Sequence, residues 1–597
     1  MKTFSVRAPL VSLSVTFLLS LVTIGPADAQ QASPPRPNYI RLVVPESDTV
    51  RASSGTYRLS AGTVPGNRLT INGSPLKVYP SGAVAGLLTL NVGENRFTLA
   101  ATGAKGDSVA KSFLVIRDAP PETSPDSVLV IDTIMTEPSE DIWLNEDDRL
   151  EVQFKGTPGC KASCDLGIPM TEVKPAYAHG LGGIYRGVYT VRDDDTLSSH
   201  QVRFRLENAS GASVETVSKG TVTMRPGDFP YIGVSKGERP ALSYGLGADR
   251  LGGARLSFIN PGIRLAITGK HGSAYRVALA PGQEAWIASE NVDLIPKGAR
   301  LPAALTDNWM VYGDDKFDYV TVALPLRLPY SSTTETEPTR INVDLYGATS
   351  NTNWIIQQLT TREIRNVYYT EPSAGVFRIT IELRHKQIWG YEIGYNPAGL
   401  VIKVRRQPEK LKIKALTFAL DAGHGGENLG ALGSTGALEK EINLAVVMDL
   451  KAMLEDRGAR VVLTRETDTD VTMPDRVRKV LTSGADILIS VHSNSIGLTT
   501  NPELTRGTAT FYKHICYRPL ALAVVRQVLK TGLPLFGNVG SFNFSLNAPT
   551  ELPSVLVEMA FVSNPSDEMN LIDPEFRHRI AERIVDGVDD FLDACDE

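Results

Sequence analysis

Two rhythms of hydrophobic and polar positions divide the chain. Up to about residue 406, apolar residues alternate with polar ones in short runs, as in Arg68-Leu69-Thr70-Ile71, Arg96-Phe97-Thr98-Leu99 and Gln201-Val202-Arg203-Phe204-Arg205-Leu206. Period-two alternation marks strands with one buried face. Turn signals such as Asn72-Gly73 and Gly93-Glu94-Asn95 separate the runs, so antiparallel hairpins are expected. Beyond about residue 410 the rhythm changes. Apolar strands are expected at 416–421, 460–464, 486–491, 508–512 and 554–559, with amphipathic helices at 439–457, 474–482, 519–530 and 575–592. Strand alternating with helix predicts an α/β domain with a mostly parallel sheet covered by helices. The expected fold class is therefore multidomain, with N-terminal all-β accessory units, sandwich-like and small-barrel, ahead of that α/β domain.

Breaks in composition set the expected boundaries. Lys2 and Arg7 precede an apolar stretch over 8–24, Gly25-Pro26 interrupts it, and Ala27-Asp28-Ala29 has the small-x-small pattern of a signal-peptidase site. Residues 1–29 thus read as a signal peptide, and the stretch falls short of the ~20 apolar residues of a spanning helix. Export to the periplasm or cell envelope is expected, with no membrane span after cleavage. A β-sandwich-like domain follows at 38–118, and 119–125, rich in Pro, Ser and Thr, has linker composition. A second β-rich domain spans 127–226, a small barrel 229–298, a further β-rich domain 310–407, and the α/β domain 411–597. The last is expected to fold and act without the rest, because its alternating core is of a size that folds alone.

Charge and cysteine content narrow the function. The 597 residues carry 61 Lys+Arg against 67 Asp+Glu, a net charge of −6, with no long basic run, so nucleic-acid binding is not expected. Four cysteines cannot frame so long a chain. Cys160 and Cys164 are close enough in sequence for a local loop disulfide in an oxidising compartment, while Cys516 and Cys595 read as free or paired with each other.

Candidate chemistry gathers where the α/β strands end, the edge on which such folds place their sites. His424 follows the first strand in Asp421-Ala422-Gly423-His424-Gly425-Gly426, His492 follows the third in Ser490-Val491-His492-Ser493-Asn494, Glu558 ends the last, and Glu439 opens the first helix. Two imidazoles and a carboxylate suit a catalytic zinc, whose three protein ligands leave a fourth position for water. A second carboxylate can take the water's proton and deliver it to a leaving amine.

These blocks, together with Leu438-Glu439-Lys440, Leu463-Thr464-Arg465 and the stretch from Pro553-Ser554-Val555 through Glu558-Met559-Ala560 to Ser563-Asn564, resemble the zinc-dependent N-acetylmuramoyl-L-alanine amidases of bacterial cell-wall turnover. The resemblance covers about 416–591, with every block in family order. It implies one zinc per catalytic domain held by His424, Glu439 and His492, with Glu558 as the catalytic carboxylate. It implies supporting roles for Asn494, in hydrogen bonding, and Arg465, in ion pairing. The implied reaction is hydrolysis of the amide joining N-acetylmuramic acid to L-alanine of the peptidoglycan stem peptide, in wall turnover or daughter-cell separation. The competing readings are a catalytically silent wall-binding scaffold and a zinc carboxypeptidase acting within the stem peptide.

Against the family pattern, Ala422 stands where Pro is common, Asn428-Leu429 where Asp-Pro is usual, and Asn547 near where many relatives carry Arg. The short segment between His492 and the 519–530 helix lacks the insertion by which some relatives plug their zinc site. His514 and His578 match no role and read as surface residues. The 229–298 unit resembles bacterial Src-homology-three-like barrels, and the 310–407 unit a periplasmic localisation module found ahead of some amidases. The β units are expected to meet the wall, or a division or envelope protein.

Overall fold

The computed structural model describes residues 37–247, 251–296 and 298–596. The expected signal peptide lies outside them. No helix among the described residues is long and apolar enough to cross a membrane.

The alternating half folds into β-sheets throughout. Ile40–Val44, Thr56–Thr63 and Ala83–Thr89 form one antiparallel sheet, packed on a five-stranded sheet that includes Gly93–Thr102 and Ser108–Arg117. Leu59, Ala61, Leu99, Phe113 and Val115 fill the space between them. The turn Asn72-Gly73 has φ of 48° and 84°, the left-handed pair that a two-residue hairpin with the native strand twist requires, and Ile71 pairs with Ser74 across it. A second pair of sheets encloses Phe154, Tyr185 and Phe204. Its strand Ile142–Leu144 also hydrogen-bonds to Arg264–His271 of the following unit, so the ladder continues across the sequence break near residue 227. That third unit and the fourth, a five-stranded and a four-stranded sheet between Trp309 and Arg405, share one hydrophobic core running from Leu242 and Ile267 to Val343 and Ile402.

The α/β domain builds a six-stranded sheet from β1 (Thr417–Ala422), β2 (Arg460–Leu463), β3 (Ile487–Asn494), β4 (Thr508–Phe511), β5 (Leu535–Val539) and β6 (Ser554–Phe561) in the order β2-β1-β3-β6-β4-β5. The first four in that order are mutually parallel, and β4 runs antiparallel to β6 and carries β5 parallel to itself. The sheet is therefore mixed rather than wholly parallel. β1, β3 and β6 are buried nearly end to end, as expected of strands covered on both faces. Phe418, Leu420, Ile489 and Val557 face α1 (Glu439–Asp456), α3 (Arg518–Val528) and α5 (Pro574–Asp596), whereas Ala419 and Leu488 face α2 (Met473–Thr482). The short α4 (Pro565–Ile572) is capped by Asn564, whose side-chain oxygen accepts from the N–H groups of Ser566 and Asp567.

The sheets before and after residue 411 share their packing. Trp389 lies in the α/β core beside Phe591, ring centroids 6.0 Å apart, while Cys516 and Tyr517 lie in the core of the preceding β units. Tyr391 and Thr550 exchange hydrogen bonds of 2.8 Å in both directions. A cut at residue 410 exposes Tyr517, which is wholly buried, and this weighs against the expectation of a free-standing α/β domain.

Two expectations need correction. All four cysteines are free. Cys160 precedes and Cys164 ends the strand Lys161–Cys164, and at about 3.3 Å per residue four steps of extended chain span about 13 Å, well beyond the ~7 Å limit between Cα atoms for a disulfide. Cys516 and Cys595 pack into different cores, and burial pushes both thiols up to about 12. Thiol titration of unreduced, denatured protein should therefore count four free thiols, and a count of two would restore the local disulfide. His514 is not a surface residue. It is half-buried, its Nε2 lies 2.9 Å from the Ala548 carbonyl oxygen, and burial lowers its pKa to about 4. His578 is exposed, as expected.

Candidate active site

The carboxyl ends of β1, β3 and β6 open on a cleft of about 770 Å³ lined by His424, Glu439, His492 and Glu558. Strand register assembles half of it, because His492 and Glu558 are direct partners across the parallel β3–β6 ladder. Neighbouring strands lie about 4.8 Å apart, so two in-register residues share one opening. His424 comes from the turn after β1 and adopts φ of 64°, a left-handed backbone costly for a residue with a Cβ. Gly425, next in the chain, passes so close to the Thr469 carbonyl that a Cβ would sit 2.4 Å from its oxygen. Strain of this kind persists where the surroundings over-determine it, and here they do. Arg476, from α2, donates to the carbonyls of Ala422 and His424 at 2.7 and 2.6 Å and to Asp421 Oδ1 at 2.7 Å. Arg465 clamps the same turn from the other side, donating to the carbonyls of Ala422, Gly423 and Lys440. Its bonds thus run to backbone rather than forming the expected ion pair.

Glu439, at the start of α1, projects between the two imidazoles. Its Oε1 is 3.2 Å from His424 Nε2 and 3.2 Å from His492 Nδ1. Oε1 also accepts from the Ser493 N–H and the Asn443 side chain, and Oε2 accepts from the Ala431 N–H at 2.7 Å. Burial alone would raise its carboxyl, but hydrogen bonds from both imidazoles and their charge hold it well below the usual carboxylate range. For His492 burial works downward, and Glu439 and the charge of Glu558 outweigh it, so that ring is raised. His424 Nδ1 lies 2.9 Å from Asn428 Oδ1, which fixes the ring with Nε2 toward Glu439.

The three ligand atoms lie within 4.8 Å of one another. Donors bound at 2.0–2.1 Å around a tetrahedral ion stand about 3.3 Å apart, close to the 3.2 Å observed for each imidazole against Glu439. His492 Nε2 is buried with no hydrogen-bond partner among the described residues, so the ring can present either nitrogen without giving up a bond on that side. Nitrogen, nitrogen and carboxylate oxygen form a donor set that fits a divalent cation of the zinc type.

The structure brings together all four residues expected at the site. Asn494 stands at the cleft, with its Oδ1 accepting from the Ser495 N–H. Sequence reasoning missed Arg476, Asn443 and Asn428. The last had registered only as a departure from family pattern, although its side chain orients His424. Asn547 is buried and donates to the Phe511 carbonyl, a packing role.

One wall of the cleft, the segment Ser495-Ile496-Gly497 after β3, is held from the far end of the chain. Arg58, buried in the first sandwich, donates to the Ile496 carbonyl at 2.8 Å and to Ser495 Oγ at 3.4 Å. Its own N–H donates to the Leu498 carbonyl, and Tyr79 donates to Glu503 at 2.8 Å.

Comparison with known proteins finds relatives of the α/β domain. The profile of the N-acetylmuramoyl-L-alanine amidase family matches residues 419–590. The uncharacterized protein YqiI of Bacillus subtilis is 35% identical over 185 residues, covering 30% of this chain and 87% of that protein. The probable cell wall amidase LytH of Staphylococcus aureus is 32% identical over 209 residues, covering 34% of this chain and 68% of its own. Among solved structures, the catalytic domain of CwlV, an N-acetylmuramoyl-L-alanine amidase from Bacillus (Paenibacillus) polymyxa var. colistinus, is 32% identical, covers 30% of this chain and 98% of its own, and has a TM-score of 0.28. Through the α/β domain that carries the cleft, the chain belongs to the N-acetylmuramoyl-L-alanine amidase family.

Proposed function

We propose that the protein is an exported, zinc-dependent peptidoglycan hydrolase that cleaves the amide between N-acetylmuramic acid and L-alanine of the stem peptide. The observation that carries this reading is the placement of Glu558 in register beside His492, on the same opening as the three candidate ligands. His424, Glu439 and His492 would hold the ion. A bound zinc supplies Lewis acidity, polarising the scissile carbonyl and lowering the pKa of water from about 15.7 toward neutrality.

The chain's own residues do the rest. Glu558 takes the proton from the attacking water and returns it to the leaving amine nitrogen, so one carboxylate serves as base and then acid. Asn428 keeps His424 Nδ1 engaged and its Nε2 directed inward. Asn443 and the Ser493 N–H fix the Glu439 carboxylate. Phe542 and Phe544 line the cleft with apolar surface, Phe544 edge-on to His492 at 5.8 Å. Residues 411–597 form the catalytic unit in this reading, and the units at 38–118, 127–226, 229–298 and 310–407 place it on the wall or beside an envelope partner.

Digestion of purified sacculi with and without chelator tests the proposal. Release of stem peptides with a free L-alanine amino terminus, abolished by chelation and restored by zinc, is expected. Peptides shortened from the carboxyl end would make the enzyme a carboxypeptidase, and intact sacculi a scaffold.

A further inference from the structure

A second cavity, of about 720 Å³, lies where the third β unit, the fourth and the amidase domain meet. Its lining carries six basic and three acidic residues. Each acid already has a basic partner, although one Glu551 oxygen is buried without a hydrogen bond. Glu238 pairs with Arg478 at 2.8 Å, Glu551 with Arg239 at 2.9 Å, and Glu392 with Lys403 at 3.8 Å. Arg255 has no acidic partner among the described residues, and its Nη1 is buried with no hydrogen bond. Leaving a guanidinium so placed without a counter-charge is costly unless something arrives to fill the position.

Arg255 is also held in place. Its guanidinium lies over the Phe258 ring at 4.7 Å, and Arg239 lies over the same ring at 4.6 Å. Its N–H donates to Asn543 Oδ1, and Lys513, which lines the adjoining smaller cavity, donates to its carbonyl. Two guanidinium groups and an ammonium therefore converge beside Glu238, Glu392 and Glu551, each of which already has a basic partner. Such a cluster raises the local positive potential, and the planar fork of arginine matches a carboxylate.

The cavity adjoins the catalytic cleft. Met473, at the start of α2, lines both, and Phe544 of the cleft is followed directly by Ser545 of the cavity. We propose that this cavity is a second subsite, received from the accessory units, for a carboxylate on the peptide part of the substrate whose amide lies in the cleft, with Arg255 as its principal contact. The inference rests on reading the cleft as that of a peptidoglycan amidase. The substrate class it adds is a stem peptide with a free carboxylate, and apolar walls at Phe258, Val477 and Leu481 receive the rest of the peptide.

The test uses the full chain carrying Glu558→Gln, so that ligand is not consumed, titrated calorimetrically with a muramyl tetrapeptide and with the same compound after its carboxylates are converted to carboxamides. Amidation is expected to weaken binding about ten- to a hundred-fold, the usual worth of a hydrogen bond between charged groups. Adding Arg255→Gln should shrink that difference to under about threefold. Arg255→Lys, which keeps the charge, should retain part of it, and thermal melts of each variant identify any that fail to fold. An amidation effect of equal size with and without Arg255, or none at all, overturns the proposal. So does competition by inorganic phosphate in the absence of any amidation effect, which would give the cavity to phosphate anions of the envelope. If the unsubstituted chain releases no stem peptide from sacculi, the amidase reading itself is wrong; release without an amidation effect leaves that reading intact and removes only the subsite.

Discussion

Replacing Glu558 by Gln is expected to lower turnover on sacculi by about two to four orders of magnitude while leaving the metal content of the protein unchanged. Glu558 is the sole carboxylate of the cleft that is not between the two imidazoles yet stands in register with one of them among the described residues. Glutamine keeps its volume and removes the proton acceptor, so substrate binding should change little and the loss should appear in kcat. His424→Ala is the informative partner. It removes a ligand, and metal analysis of the purified variant should find the ion depleted together with activity. Full turnover in the Glu558→Gln chain would exclude the residue from the chemistry. Loss of metal in that variant would move Glu558 among the ligands.

The second large effect concerns stability. Asp421, the penultimate residue of β1, accepts from Arg476 Nη1, Thr464 Oγ1 and Ser490 Oγ, each at 2.7 Å. The Asp421 and Arg476 side chains are 1% and 5% exposed, so removing the carboxylate strands a charge inside the sheet. Asp421→Ala should cost about 3–5 kcal/mol, read as a lower midpoint in urea unfolding. Burial pushes the Asp421 carboxyl up, but Arg476, His492 and the two hydroxyls hold it below its ordinary value. A carboxyl depressed by folding stabilises fully above its unfolded pKa of about 3.9, and that contribution drains away as pH falls through the folded value. The native chain should therefore lose stability below about pH 4 more steeply than Asp421→Asn, whose residual stability lacks this titration. Equal acid slopes for the two would show that the pair does not govern acid unfolding.

The parts of this fold that sequence made legible share a cause. His424 follows β1, and His492 and Glu558 lie in the carboxyl-terminal halves of β3 and β6; because ligands of such sheets gather at strand carboxyl ends, strand order pointed all three to one opening. Glu439 was legible through its block. What was missed depends on neighbours distant in sequence. The direction of β4 has no signature in an alternating run, because antiparallel and parallel pairing present the same faces. β5, Leu535-Phe536-Gly537-Asn538-Val539, is a half-exposed edge strand carrying Gly and Asn, residues depleted in strands. Arg476 looked like an ordinary charge on an amphipathic helix, yet it is buried against Asp421, 55 positions earlier. Cys160 and Cys164 looked like a loop pair because sequence spacing does not reveal that the chain between them is extended.

Arg58 and Ser495 are 437 positions apart, and their contact closes the polypeptide into a ring. Within that ring the sandwich and the cleft wall meet at an effective concentration set by the intervening units. Hydrogen bonds from Arg41, Thr56, Arg58 and Tyr79 carry the sandwich's contact with the amidase domain, and between separate molecules it would depend on their concentration. A single proteolytic nick in the linker 119–125 therefore converts a standing contact into a bimolecular one that dilution dissolves. The catalytic residues would be untouched, and the wall of the cleft would lose its brace.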